Sequence, residues 1–174
     1  MILSVHAIFG ASVASLVPNH PIMAFSLGFL GHFALDAIPH KDYELISVDS
    51  NSNSTEKKII IDSLYKKFRF IRDVVLVSFD ALMGSFLAFL FFFNPIHPWI
   101  FLIGAIGSLI PDFLTFLYLI IKHKPLILFF DFHSSIIHSK RILKLSQPAG
   151  VFLQFCTVGV IIAIILGVKW FLSL

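Results

Sequence analysis

Long apolar runs broken by short polar punctuation set the pattern of this chain. The runs extend over Ile2–Val17, Pro21–Ile38, Val74–Phe93, Trp99–Ile121 and Ala149–Leu172. A helix that crosses a bilayer needs about 20 apolar residues, within a range of about 17–25. The pattern therefore predicts an all-α, polytopic membrane helix bundle of about five spans. The first two runs are at the short end and predict tilted spans or a tight hairpin. Pro18-Asn19-His20-Pro21 and Asn94-Pro95-Ile96-His97-Pro98 end helices, because proline lacks an N–H and restricts the residue before it.

Two polar connections separate the runs. Residues 40–73 hold Asp49-Ser50-Asn51-Ser52-Asn53-Ser54-Thr55, which reads as a flexible tip. The stretch after it, Glu56 to Asp73, has the pattern of an amphipathic helix leading into the third span. Residues 122–147 mix apolar and basic positions, and Pro125 to Leu145 predicts a helix lying in the membrane interface. There is no internal repeat, and the whole chain, 1–174, reads as one integral membrane domain.

Composition supports this class. Of the 174 residues, 57% are hydrophobic and 13% charged, with a mean hydropathy of +0.92. Ordinary soluble domains carry about 25% charged residues. The net charge of +3 gives no pointer to nucleic acid. Cys156 is the only cysteine and lies in an apolar run, which excludes a disulfide framework and a thiolate metal site. Ala11-Ser12-Val13-Ala14 has the small residues of a signal cleavage site. The absence of Lys and Arg before it favours a retained helix.

Charge placement then sets an expected orientation. Every Lys and Arg except Lys169 falls in the two polar connections, and the two short turns hold none. The positive-inside rule places the N-terminus and both connections in the cytoplasm and the C-terminus outside.

Against this background a few ionisable residues stand out. His32, Asp36, Asp80 and Asp112 lie inside apolar runs, where an aspartate at a helix centre costs at least ~2.5 kcal/mol. Such groups must pair, take up a proton or hold a cation. On the expected topology, His6, His32, Asp36, His40, Asp80, His133 and His138 all approach the cytoplasmic side. Asp112 is deepest, about 15 Å from the end of its span. His32 and Asp36 are four residues apart, so a helix stacks them on one face where both can ligate one ion or bond each other. Pro39 ends that helix and turns His40 towards them.

Asp112 follows Pro111, which frees a helical carbonyl at Gly107, and Gly104 and Gly107 permit close helix approach. Its alternative is a protonated acid bonded to a Ser or Thr on a neighbouring helix. Asp80 suits a further carboxylate ligand or a partner for a loop Lys or Arg. His6 suits a ligand or a packed core histidine. His133 and His138 are five apart and need a break at Ser134-Ser135 to converge; singly, each also suits an exposed interfacial place. His20, His97 and His123 read as surface residues.

Several of these segments resemble a known family. His6-Ala7-Ile8-Phe9-Gly10 resembles the HxxxG motif of the LexA-binding, inner-membrane-associated metal-dependent hydrolase family. Gly31-His32-Phe33-Ala34-Leu35-Asp36 is similar to its SHxxxD segment, and Gly107-Ser108-Leu109-Ile110-Pro111-Asp112 to its segment ending in Pro-Asp. His133-Ser134-Ser135-Ile136-Ile137-His138-Ser139 has the spacing of its HRGxTHS motif without the Arg-Gly. The HxxxD segment comes second here and last in the family. A fainter likeness links His32, Asp36 and His40 to the zinc ligands of zinc-dependent phospholipase C.

These observations lead to a membrane-embedded, metal-dependent hydrolase that binds a divalent ion, zinc by its ligand types. The expected ligands are His6, His32, Asp36, Asp112 and His138, with His40 and Asp80 as further candidates. Any carboxylate outside the ligand set is a candidate general base. The expected partners are membrane lipids and a small amphiphilic or phosphoester substrate. The competing expectations are a small transporter, which would have to oligomerise, and a non-catalytic protein that binds lipid or another protein through its basic segments.

Overall fold

A computed structural model describes residues 1–38, 40, 43, 45–47, 64–121, 123–133 and 146–172. Among these, every regular element is helical: α1 (Leu3–Ala14), α2 (Pro21–Asp36), α3 (Leu64–Phe92), α4 (Ile100–Ile121), α5 (Lys124–Asp131) and α6 (Gln147–Leu172). Three of them, in α3, α4 and α6, are long and apolar enough to cross a membrane. The other two apolar helices fall short of that. At 1.5 Å per residue, α1 is about 18 Å long and α2 about 24 Å, against a hydrocarbon core of about 30 Å. The expected five spans thus become three long helices and two short ones.

The short helices have a different task from the long ones. Along α1 the buried positions run almost unbroken from Ser4 to Ala14. A helix that is apolar on every side belongs inside a bundle, and α1 packs against α2, α3, α4 and α6. In contrast, α3 presents Phe68, Val75, Phe79, Leu82 and Phe86 outward, and α6 presents Phe152, Val160, Ile164 and Trp170. Apolar side chains left outside on that scale are what a surface in contact with lipid requires.

Small residues set the spacing of the interior. Gly10 of α1 and Gly104 of α4 lie backbone to backbone, so a Cβ on either would collide with the carbonyl of the other. Gly107 likewise lets the backbone of α2 at Phe25 close onto α4. Without these contacts, α1 and α2 could not approach α4 closely enough for the polar contacts described below.

The ends of the helices follow from local chemistry. Pro21 is tolerated in the first turn of α2, where its missing N–H would have no partner in any case. The side chain of Asn94 accepts the N–H of Ile96 at 2.9 Å and shapes the turn into α4. Pro111 lies inside α4, as the sequence predicts. α3 starts ten residues before the predicted third span, so it carries the basic Lys67, Arg69 and Arg72 with it. Of the stretch expected to form an interfacial helix, α5 covers the start and ends at Asp131; residues 134–145 lie outside the described residues.

Candidate metal centre

Four segments bring ionisable groups to one place: the start of α1, the end of α2, the middle of α4 and the turn after α5. His32 and Asp36 occupy the last two turns of α2, on one face as their spacing predicts, with Nε2 of His32 3.0 Å from Oδ2 of Asp36. His133 approaches from the end of α5, its Nε2 3.0 Å from the same oxygen and 2.9 Å from Nε2 of His32. All three residues are buried. Asp112 of α4 completes the group, its Oδ1 3.8 Å from both imidazole nitrogens. Ligand atoms of these four residues lie within 4.8 Å of one another, a set that could hold a metal ion.

The positions of the protons show why. Nδ1 of His32 lies 2.7 Å from the carbonyl oxygen of Ser108. A carbonyl only accepts, so Nδ1 carries the proton and Nε2 of the neutral ring carries an electron pair. The same logic applies to His133. The hydroxyl of Thr115 donates to the carbonyl of Pro111 at 3.1 Å, one turn back on α4. While it does so, its oxygen can accept from Nδ1 of His133 at 2.8 Å, the arrangement in which Nε2 of a neutral ring carries the electron pair.

Two imidazole nitrogens and a carboxylate oxygen thus form a triangle with sides of 2.9, 3.0 and 3.0 Å. A proton added to either ring would satisfy one edge. A cation seated off the plane of the triangle would satisfy all three. Tetrahedral bonds of about 2.0–2.2 Å place neighbouring donors about 3.3–3.6 Å apart, so these three would part by a few tenths of an ångström to take an ion. Histidine ligands whose other nitrogen is held by a carbonyl or hydroxyl are the usual arrangement at metal sites.

The second oxygen of Asp36 has its own neighbours. Nε2 of His6 is 3.1 Å from Oδ1, the amino nitrogen of Met1 is 3.3 Å away and Nε2 of His40 is 3.8 Å away. The ring of His6 stacks on that of His32 with centroids 4.1 Å apart. Nδ1 of His6 is fully buried and has no hydrogen-bond partner. His40 donates from Nδ1 to the carbonyl of Ile38 at 2.6 Å. Asp112 differs from the rest in that 24% of its side chain is exposed, so the group opens on its side.

The structure distributes the residues singled out by sequence as follows. His32, Asp36 and Asp112 meet directly, and His6 and His40 flank Asp36. Asp80 is elsewhere. It accepts the N–H of Ser4 at 2.8 Å and the hydroxyl of Tyr43, and so caps the start of α1. Tyr43 in turn accepts the N–H of Leu3 at 2.8 Å, and Gln154 of α6 accepts that of Ile2 at 3.0 Å. α1 has no side-chain cap at its own Ile2, so its first N–H groups are satisfied by distant segments. Burial, with the bond to Asp80, holds the Tyr43 phenol above its ordinary range and keeps it a donor.

His138 lies outside the described residues. His133 takes a place that the sequence left open between a buried site and an exposed one; its pairing with His138 was the available signal. His20 and His123 are exposed. No family model, curated protein or solved structure matches this chain.

Proposed function

We propose that this protein is a membrane-embedded, metal-dependent hydrolase whose ion is held by His32, Asp36 and His133. The observation that carries the proposal is the buried group of His32, Asp36 and His133 with Asp112, whose ligand atoms all lie within 4.8 Å of one another. The resemblance of four short segments to a family of inner-membrane hydrolases supports the same conclusion. A divalent ion there, zinc by its affinity for imidazole and carboxylate, supplies Lewis acidity towards a phosphoryl or acyl oxygen and brings the pKa of water to about 7.

The chain's own groups divide the remaining work. Ser108 and Thr115 orient the two imidazoles and fix their tautomers. Asp112, farther from the imidazoles and partly open, is placed to take a proton from an attacking water as general base. The group lies at the end of the bundle that the positive-inside rule assigns to the cytoplasm. A site there, among helices with lipid-facing sides, suits an amphiphilic substrate with a phosphoester or acyl ester head.

The test is elemental analysis of the purified protein in detergent, before and after zinc is added. The expected result is bound zinc, with Asp112→Asn retaining the ion and losing hydrolysis of a chromogenic phosphodiester or acyl ester. Protein that holds no metal and gains none overturns the proposal. Metal-loaded protein that cleaves neither ester removes the hydrolase and leaves a metal-binding membrane protein.

A further inference from the structure

The geometry points to His6 as a positioning residue: its Nε2 donates to Oδ1 of Asp36, so that Asp36 meets the ion through Oδ2 alone. The inference rests on the function proposed above. It starts from the make-up of α1. His6 is the one ionisable side chain in that helix, and it lies fully buried among apolar and small residues. Gly10, one turn on, is backed onto Gly104 of α4, which fixes the distance of α1 from the site. A buried helix held at that distance presents one imidazole, and that imidazole meets Asp36.

The proton has one place to be. A carboxylate only accepts, so at 3.1 Å the proton lies on Nε2 of His6. In the neutral ring Nδ1 then carries the electron pair, and it finds no hydrogen-bond partner among the described residues. A buried ring with one nitrogen unsatisfied is costly as mere filling. What it gains is the bond made by Nε2.

The two oxygens of Asp36 face different neighbours. Oδ2 faces His32 and His133 at 3.0 Å each, and these three with Asp112 form the group whose ligand atoms gather within 4.8 Å. His6 is not in that group. Oδ1 faces Nε2 of His6, the amino nitrogen of Met1 at 3.3 Å and Nε2 of His40 at 3.8 Å. Donors on Oδ1 leave Oδ2 as the oxygen turned to the ion. The ring of His6 also stacks on that of His32, with centroids 4.1 Å apart and planes 24° apart. One imidazole thus steadies a ligand ring and a ligand carboxylate together. Supporting groups of this kind contribute about 10–100-fold in metal affinity. Met1 shares the same oxygen, which sets the expected effect at the lower end.

The experiment is a competition titration for zinc, with a chromogenic chelator, on the full chain in detergent. His6→Phe keeps a ring against His32 and removes the donor; zinc affinity is expected to fall about tenfold. His6→Gln puts an amide N–H near the place of Nε2 and is expected to return affinity to within about threefold of the unsubstituted protein. Cobalt(II) in place of zinc gives a second readout: its visible bands are expected at the same wavelengths in all three proteins, because the ligands are the same. Equal zinc affinity in folded His6→Phe overturns the positioning role and leaves the ion site standing. A Gln variant as weak as the Phe variant overturns the donor role. Cobalt bands that move in both variants make His6 a ligand and overturn the inference likewise. No bound metal in the unsubstituted protein overturns the function proposed above as well. If neither variant folds, nitrogen chemical shifts of the zinc-loaded unsubstituted protein decide: a proton on Nε2 of His6 is expected, and a metal-bound shift there overturns the inference.

Discussion

Asp36 and Asp80 are the same residue in similar settings, an aspartate within a mostly apolar helix, and they have opposite roles. Asp80 is surrounded by hydrogens. The N–H of Ser4 and the hydroxyl of Tyr43 both donate to it. A carboxylate supplied in this way is satisfied, and it stabilises the start of α1 without any ion. Around Oδ2 of Asp36, the neighbouring atoms are imidazole nitrogens whose protons point away, to Ser108 and Thr115. With Asp112 beside them, these groups could hold a metal ion. What separates the two aspartates is their neighbours: backbone N–H and phenol donors around Asp80, imidazoles and a second carboxylate around Asp36.

The largest test of this contrast is a crossed pair of substitutions. Asp36→Asn is expected to weaken zinc binding by at least about 100-fold, because loss of a ligand exceeds the 10–100-fold seen when supporting groups are removed. Asp80→Asn is expected to leave zinc binding within about twofold. Its cost is in stability, about 1–3 kcal/mol, read as a lower unfolding temperature. The two effects are measured by zinc titration and thermal unfolding on both variants. If Asp80→Asn loses zinc as severely as Asp36→Asn, the contrast fails.

A second, smaller effect tests the tautomer argument. Thr115→Val removes the group that accepts from Nδ1 of His133. Zinc affinity is expected to fall about tenfold with little change in unfolding temperature. Nitrogen chemical shifts of the metal-free protein should show the His133 proton leaving Nδ1. An unchanged shift would mean that Thr115 does not hold the tautomer.

The smallest effect belongs to the cap. Tyr43→Phe removes a donor to Asp80 and leaves the N–H of Leu3 without its acceptor. A loss of about 1 kcal/mol is expected, with zinc binding unchanged. A fall in zinc affinity here would mean that the start of α1, and His6 with it, is coupled to the ion through the cap.

Some of this site was legible along the chain. His32 and Asp36 share a face because the helical period places residues four apart together, and that period is a local property. Pro111 and Asp112 mark a polar site in an apolar helix for the same local reason. The fates of Asp80 and His133 were not legible. Asp80 meets a backbone N–H from a segment far away in sequence, and His133 meets Asp36 across most of the chain. Nothing within a few residues of either one signals those partners.

The amino-acid sequence by itself determined the class of the protein, the existence of apolar helices and the short list of residues that apolar surroundings make costly. Tertiary structure decided which helices are long enough to cross a membrane and which are buried inside the bundle. It also decided that Asp80 caps α1 while Asp36 joins His32, Asp112 and His133 in one group. The physical reason is range: apolar patterning and helical period act over a few residues. The direction of a hydrogen bond depends on the group opposite, which only the packing of distant helices brings into place.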